Sequence, residues 1–236
     1  YQGANCCLSV AGALEEGLIS HVLSSPLAAL NQLKDSDQST TSQPSLRFQS
    51  GRECRTFPRL EAARLMMVWP VASADDQLAI AGADLATTIL AEGRRSRLVQ
   101  KLREELQIVE SIDMDVTTLE QGSLVMLEAC CPADQIERVE MEIHQQLNSS
   151  LTTAITDEEF HRALQLVGNG HRFSLEAPGA VAASAGSQTL WGRHRDLLAP
   201  LQDLMHWNAS TLREGIMPLL QPQHSFTLIA RSEDNA

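Results

Sequence analysis

The chain has 236 residues, a hydrophobic fraction of 43% and a formal net charge of −12. These figures allow one large domain, or one domain with part of another, and exclude a disordered tail. The acidic field repels a phosphate backbone, which sets nucleic acid aside as a partner. No apolar run approaches the ~20 residues that span a bilayer.

Tyr1 stands where a start methionine is expected, so the sequence reads as a fragment or a processed chain, and Tyr1 to Cys7 carry no leader pattern. Asn5 to Gly12 form a short apolar run that predicts a buried strand. Ala13 to Ser24 place Leu14, Leu18, Ile19 and Val22 at helical spacing. A strand and a helix at this point read as the tail of an αβ unit, residues 1–34. Residues 35–58 are polar and rich in Ser, Thr and Gln, which predicts a linker. The main domain is then 59–236.

Within it, Ala63 to Val71 (ARLMMVWPV) predict a central strand. Asp75 to Ala91 predict a long, largely buried helix, interrupted at Glu92-Gly93. Arg95 to Leu106 predict a second helix with Leu98, Leu102 and Leu106 on one face. The period then changes to two from Ile108 to Val116, Gln121-Gly122 signal a turn, and Ser123 to Cys131 complete an antiparallel hairpin. Asp134 to Ser149 are helical, with Ile136, Val139, Ile143 and Leu147 on one side. Thr156 to Glu159 spell a capping box for a helix reaching about Leu175. Gly168-Asn169-Gly170 read as a turn or helix break. Further helices are expected over Ala180–Trp191 and Ser210–Leu219, and His224 to Arg231 form a closing strand. The fold class is α+β.

Chemistry is harder to find. The five cysteines, Cys6, Cys7, Cys54, Cys130 and Cys131, have neither disulfide nor C-x-x-C spacing. They read as small hydrophobes in strands and weakly favour a reducing compartment. Seven histidines are scattered, with no H-E-x-x-H or H-x-x-E-H, and no G-x-S-x-G or phosphate-binding loop occurs. Asp113 and Asp115 share one strand face, most simply a wet one. Arg94, Arg95, Arg97, Lys101 and Arg103 form the basic concentration, either a solvated helix face or a contact for anions and carboxylates.

Ile89 to Ile112, ILAEGRRSRLVQKLREELQIVESI, resembles the hallmark of the C-terminal half of the insulinase/pitrilysin zinc peptidases, in their bacterial, processing-peptidase-like branch. Gly93, Ser96-Arg97-Leu98 and Leu102-Arg103-Glu104 match that pattern. The resemblance implies an antiparallel or mixed sheet with helices on one face, preceded by the tail of a homologous αβ unit. It also implies two halves closing around a chamber, with zinc in the N-terminal half and none in this chain. That half would act in cis or in trans on a peptide substrate, and a homo- or heterodimer is open. The resemblance implies a substrate-binding arginine at Arg103, with Arg97 beside it. The family's tyrosine position holds Glu110 and its preceding glycine position holds Gln107, so the local backbone is open to change. An ionised glutamate cannot donate the hydrogen bond that a tyrosine gives to an oxyanion. The expected function is the non-catalytic, chamber-forming half of a zinc metallopeptidase. The alternatives are a non-peptidase assembly subunit of the same fold and an enzyme using a spatial Cys–His pair.

Overall fold

Alternation in three segments dictates the sheet. The computed structural model describes residues 6–32 and 46–233. In β2 (Ala63–Val71), Ala63, Leu65, Met67 and Trp69 point to one side and are fully buried. In β4 (Ser123–Cys131), Val125, Leu127 and Ala129 do the same. These two strands pair antiparallel, with Met67 opposite Leu127 and Leu65 opposite Ala129. The hairpin partner β3 (Ser111–Thr117) adds Ile112 to that face and leaves Asp113 and Asp115 exposed on the other. The closing strand β5 (Phe226–Ser232) lies antiparallel on the far side of β2.

A fifth strand occupies ground expected to be linker. β1 (Gly51–Phe57) pairs parallel with β5, giving the order β1-β5-β2-β4-β3 in a mixed sheet. β1 therefore lies within residues 35–58, which the sequence reads as linker. Polar residues suit this edge strand, because nearly all of β1 is exposed and its stability comes from backbone pairing. Of the expected linker, 35–45 lie outside the described residues.

α2 (Gln77–Ala91) packs on this sheet with Leu85, Ala86, Ile89 and Leu90 wholly buried. Its N-cap is Asp76, which accepts the Ala79 amide. Gly82 of α2 is buried against Trp207, where a Cβ would lie 2.5 Å from the indole ring. Trp207 is held there by an Nε1–H donated to the Leu78 carbonyl. α3 (Ile136–Ser149) buries the predicted stripe of Ile136, Val139, Ile143 and Leu147. A polar knot ties these layers. The Trp69 Nε1–H donates to the Gln221 carbonyl at 2.9 Å, and the buried Gln221 amide donates to the carbonyls of Leu147 and Met217.

The chain divides into two compact units, residues 45–168 with 202–236, and residues 1–44 with 169–201. The division enters the expected single domain at 169–201 and falls between Gly168 and Asn169. No break occurs there, since α4 (Asp157–Ser174) runs straight through the glycines. The larger unit holds the sheet and, near its end, α7 (Ala209–Gly215). α6 (Ala199–Met205), absent from the sequence expectation, straddles the second division.

The smaller unit contains α1 (Leu18–Ser24), a 3-10 turn (Pro26–Gln32) and α5 (Pro178–Leu190). Neither α1 nor α5 buries a residue, and Leu8, Val10, Leu14, Ile19 and Leu23 are exposed. Residues 6–10 are not a buried strand as predicted: they have no ladder partner among the described residues, and Cys6 and Cys7 are exposed. The predicted helix from Ala13 begins only at Leu18, after Gly17 in a left-handed conformation.

One acid sits badly in this packing. Asp84 of α2 is largely buried, and its carboxylate has no partner among the described residues. Burial, reinforced by Glu92 and Asp115, raises its pKa from 3.8 to about 6. The native state thus holds this proton more tightly than the unfolded chain does. Its contribution to stability is fully present below the unfolded value and is lost as pH climbs through about 6. A rise of that size is worth about 3 kcal/mol. Asp84→Asn should raise stability at pH 7.5 by about 2 kcal/mol in urea unfolding and leave it nearly unchanged at pH 4.

Candidate functional site

The segment that follows α2 carries the motif residues. Glu92 ends the helix and Gly93 turns the chain at φ +76°, a left-handed geometry natural to glycine. Ser96 is buried, and both its amide and its hydroxyl donate to the Gly93 carbonyl. Leu98 and Leu102 are fully buried and anchor the inner face.

The predicted helix here is not an ordinary α-helix. Val99–Glu105 form a π-helical turn, in which the Leu106 amide reaches back five residues to the Lys101 carbonyl. One extra residue per turn rotates the outer side chains relative to the buried leucines, and such turns are frequent at functional sites. The turn closes through Gln107, at φ +54°, with the Ile108 amide donating to the Leu102 carbonyl. Gln107 occupies the expected glycine position and keeps the left-handed conformation that glycine favours. For a glutamine this conformation costs about 1 kcal/mol.

Arg97 is 12% exposed and its fork is fully engaged. Nε and Nη2 grip the two oxygens of Glu159 at 2.6 and 2.9 Å, and Nη2 also donates to the Ala154 carbonyl. Glu159 belongs to the predicted capping box, which is present. Its Oε2 accepts the Thr156 amide, and the Thr156 hydroxyl accepts the Glu159 amide. Burial pushes the Glu159 carboxyl up, but the Arg97 fork and Thr156 outweigh it and hold the group below its ordinary value. Arg97 thus fastens the motif segment to the start of α4, and its guanidinium is not presented to a ligand.

Arg103 lies on the outer face of the π turn, exposed, with no hydrogen bond or ion pair among the described residues. It pairs with neither Glu104 nor Asp113. Glu110 is also exposed. Its amide donates to the Cys130 carbonyl, and the Cys130 thiol sits 3.7 Å from its Oε2. The strand register fixes that contact, because Ser111 is opposite Cys130.

The remaining chemistry is quiet. Burial, then Glu110, raises the Cys130 thiol, and burial above all raises Cys131 to about 12. Thiols held protonated are poor nucleophiles. His161 and His206 each place Nδ1 against a carbonyl one helical turn back. Among the described residues no group of three His, Cys, Asp or Glu side chains could hold a metal ion. No helix there is long and apolar enough to cross a membrane.

Two substitutions test this reading of the segment. Arg97→Gln strands the partly buried Glu159 and should cost about 3 kcal/mol in urea unfolding. In the parent protein the pair contributes fully above the ordinary glutamate value, and the contribution is lost as pH falls through the depressed one. The variant should lack that part of the acid destabilisation. Gln107→Gly should instead stabilise by about 0.5–1 kcal/mol, since the φ of +54° costs glycine nothing.

Comparison with known proteins agrees with this architecture. The sequence model described as "Peptidase M16 inactive domain" matches residues 1–167. A peptidase M16 inactive domain from Pseudomonas fluorescens superposes with a TM-score of 0.68 at 14% identity, over 78% of this chain and 44% of that one. A protease from Helicobacter pylori gives 0.70 at 16% identity, over 77% and 44%. The inactive peptidase domain of a candidate zinc protease from Bordetella parapertussis gives 0.65 at 16% identity, over 73% and 92%. The chain thus spans less than half the length of the Pseudomonas and Helicobacter proteins. No curated protein sequence matches it. With the family model covering well over half of its length, the chain belongs to the peptidase M16 inactive-domain family.

Proposed function

We propose that this chain is the chamber-forming, non-catalytic half of a zinc metallopeptidase, and that hydrolysis is carried out by a separate zinc-bearing half in cis or in trans. The observation that carries the proposal is Arg103. It is exposed and has no partner among the described residues, on a π turn held by two buried leucines and an engaged neighbouring arginine. Such a guanidinium is prepared to receive a peptide carbonyl or carboxylate. Glu110 stands beside the same strand start and accepts hydrogen bonds from the amides or cationic side chains of the peptide. Arg97 positions this segment rather than touching the peptide. Residues 6–32 act as the tail of the preceding αβ unit, and their exposed leucines and valines are covered by it.

One observation favours the runner-up, an assembly or scaffold subunit. Glu110 takes the place of a hydroxyl donor, which removes a contact useful to a peptidase and leaves the fold intact.

The purified chain should hydrolyse no quenched-fluorescent peptide and carry no stoichiometric zinc by metal analysis. Combined with its zinc-bearing half it should hydrolyse the peptide, and Arg103→Gln should lower kcat/KM about tenfold, the loss of one charge-assisted hydrogen bond. Zinc and hydrolysis in the chain alone would overturn the proposal. A stable complex without hydrolysis would establish the scaffold instead.

A further inference from the structure

The larger unit contains a second charged feature, apart from the Arg103 and Glu110 surface. A cleft of about 610 Å³ opens between the segment after α2 and the first turns of α4. Arg94 and Arg95 line it from one element and Arg162 from the other. None of Arg97, Arg103 or Glu110 lines it.

The three arginines differ from Arg97 in how little of their donor capacity is used. Arg94 lies 3.8 Å from Glu104, and Arg95 makes a single contact of 2.9 Å to Glu158, with both partners 77% exposed. Exposed pairs of this kind are worth under about 1 kcal/mol and exchange readily for a better acceptor. Arg162 donates Nη1 to the Glu92 carbonyl, while its Nη2 is shielded from solvent and has no acceptor among the described residues. A buried donor without an acceptor costs about 1–3 kcal/mol. The third lining carboxylate, Glu159, is already neutralised by the Arg97 fork. Three guanidinium groups therefore face two loosely held carboxylates, a local positive excess in a chain of net charge −12.

We propose that this cleft binds a peptide carboxylate, received by Arg95 and Arg162 with Arg94 at the rim. Glu104 and Glu158 hold the arginines in place until the ligand arrives, and the planar fork of Arg95 then exchanges one carboxylate for another. The overall negative charge acts against unspecific attraction of acidic peptides. Any such binding is thereby local. The carboxylate comes either from a peptide C-terminus or from an acidic side chain.

Fluorescence anisotropy on the chain at low salt tests this with three labelled peptides of one length. The first has a free C-terminus and glutamine side chains, the second an amidated C-terminus and glutamate side chains, the third an amidated C-terminus and glutamine. One or both of the first two should bind saturably, more weakly as salt rises, and the third should not. The binding peptide names the source of the carboxylate. Arg95→Gln and Arg162→Gln should each weaken binding about tenfold, and the exposed Arg95 keeps the test readable if Arg162→Gln loses stability. Arg138→Gln, an equal charge change at an exposed site on α3, should leave binding unaltered. Absence of binding up to about 1 mM peptide, equal binding of the neutral peptide, or equal weakening by Arg138→Gln would overturn the proposal. Hydrolysis by the combined halves is a separate readout, so loss of this site and loss of the Arg103 reading remain distinguishable.

Discussion

The fork between Arg97 and Glu159 is the contact on which the motif segment depends. It is bidentate, mostly shielded from water, and joined to a helix cap at its acidic end. A partly buried ion pair has an uncertain net worth as a pair, yet leaving either partner alone is costly. This asymmetry makes it a specifying contact. It selects one placement of the segment from Gly93 to Leu106 against the start of α4, and everything the segment displays follows from that placement. Arg95, two residues earlier, reaches Glu158 of the same helix turn but stays in solvent, where the same chemistry gives little. Burial, not residue type, separates the anchor from the adjustable groups.

The second constraint is in the backbone. A π turn is a less favourable local structure than the α-helix the sequence predicts. It persists because Leu98, Val99 and Leu102 are buried on one side, and because Gln107 accepts a left-handed conformation that lets the Ile108 amide close onto Leu102. A glutamine thus adopts a left-handed conformation that glycine takes at no cost. Arg103 owes its exposure to that shape.

Much of the fold was legible because its signals are local. The alternation in Ala63–Val71 and Ser123–Cys131, the stripe on Ile136–Ser149 and the Thr156–Glu159 box each lie within a few residues, and each appears as expected. The failures have one physical origin, partners distant in sequence or absent. β1 is polar and reads as linker, but its ladder is supplied by β5, at the other end of the chain. Residues 6–10 are apolar and read as a strand, but nothing among the described residues pairs with them. The Glu159 partner of Arg97 was likewise not legible, because it lies 62 residues away. The glycines at 168 and 170 read locally as a break, but the helix predicted from the capping box to about Leu175 is carried across them.

The cysteines and Glu110 bear on what this chain can do chemically. A Cys–His enzyme needs a thiolate beside a base, in a partly exposed, electropositive setting. Cys130 and Cys131 sit in the opposite setting, within a strand and beside Glu110, which disfavours their ionisation. The same Glu110 carboxylate accepts hydrogen bonds and gives none, so it cannot stabilise an oxyanion. What remains is an exposed acceptor, Glu110, at the start of β3, and on the π turn before it an exposed donor, Arg103, without a partner among the described residues. An acceptor and a donor suit the two polar groups of an extended peptide backbone, which presents amide hydrogens and carbonyl oxygens in turn. The departure from the family pattern therefore removes a hydroxyl donor at this position and leaves an acceptor in its place.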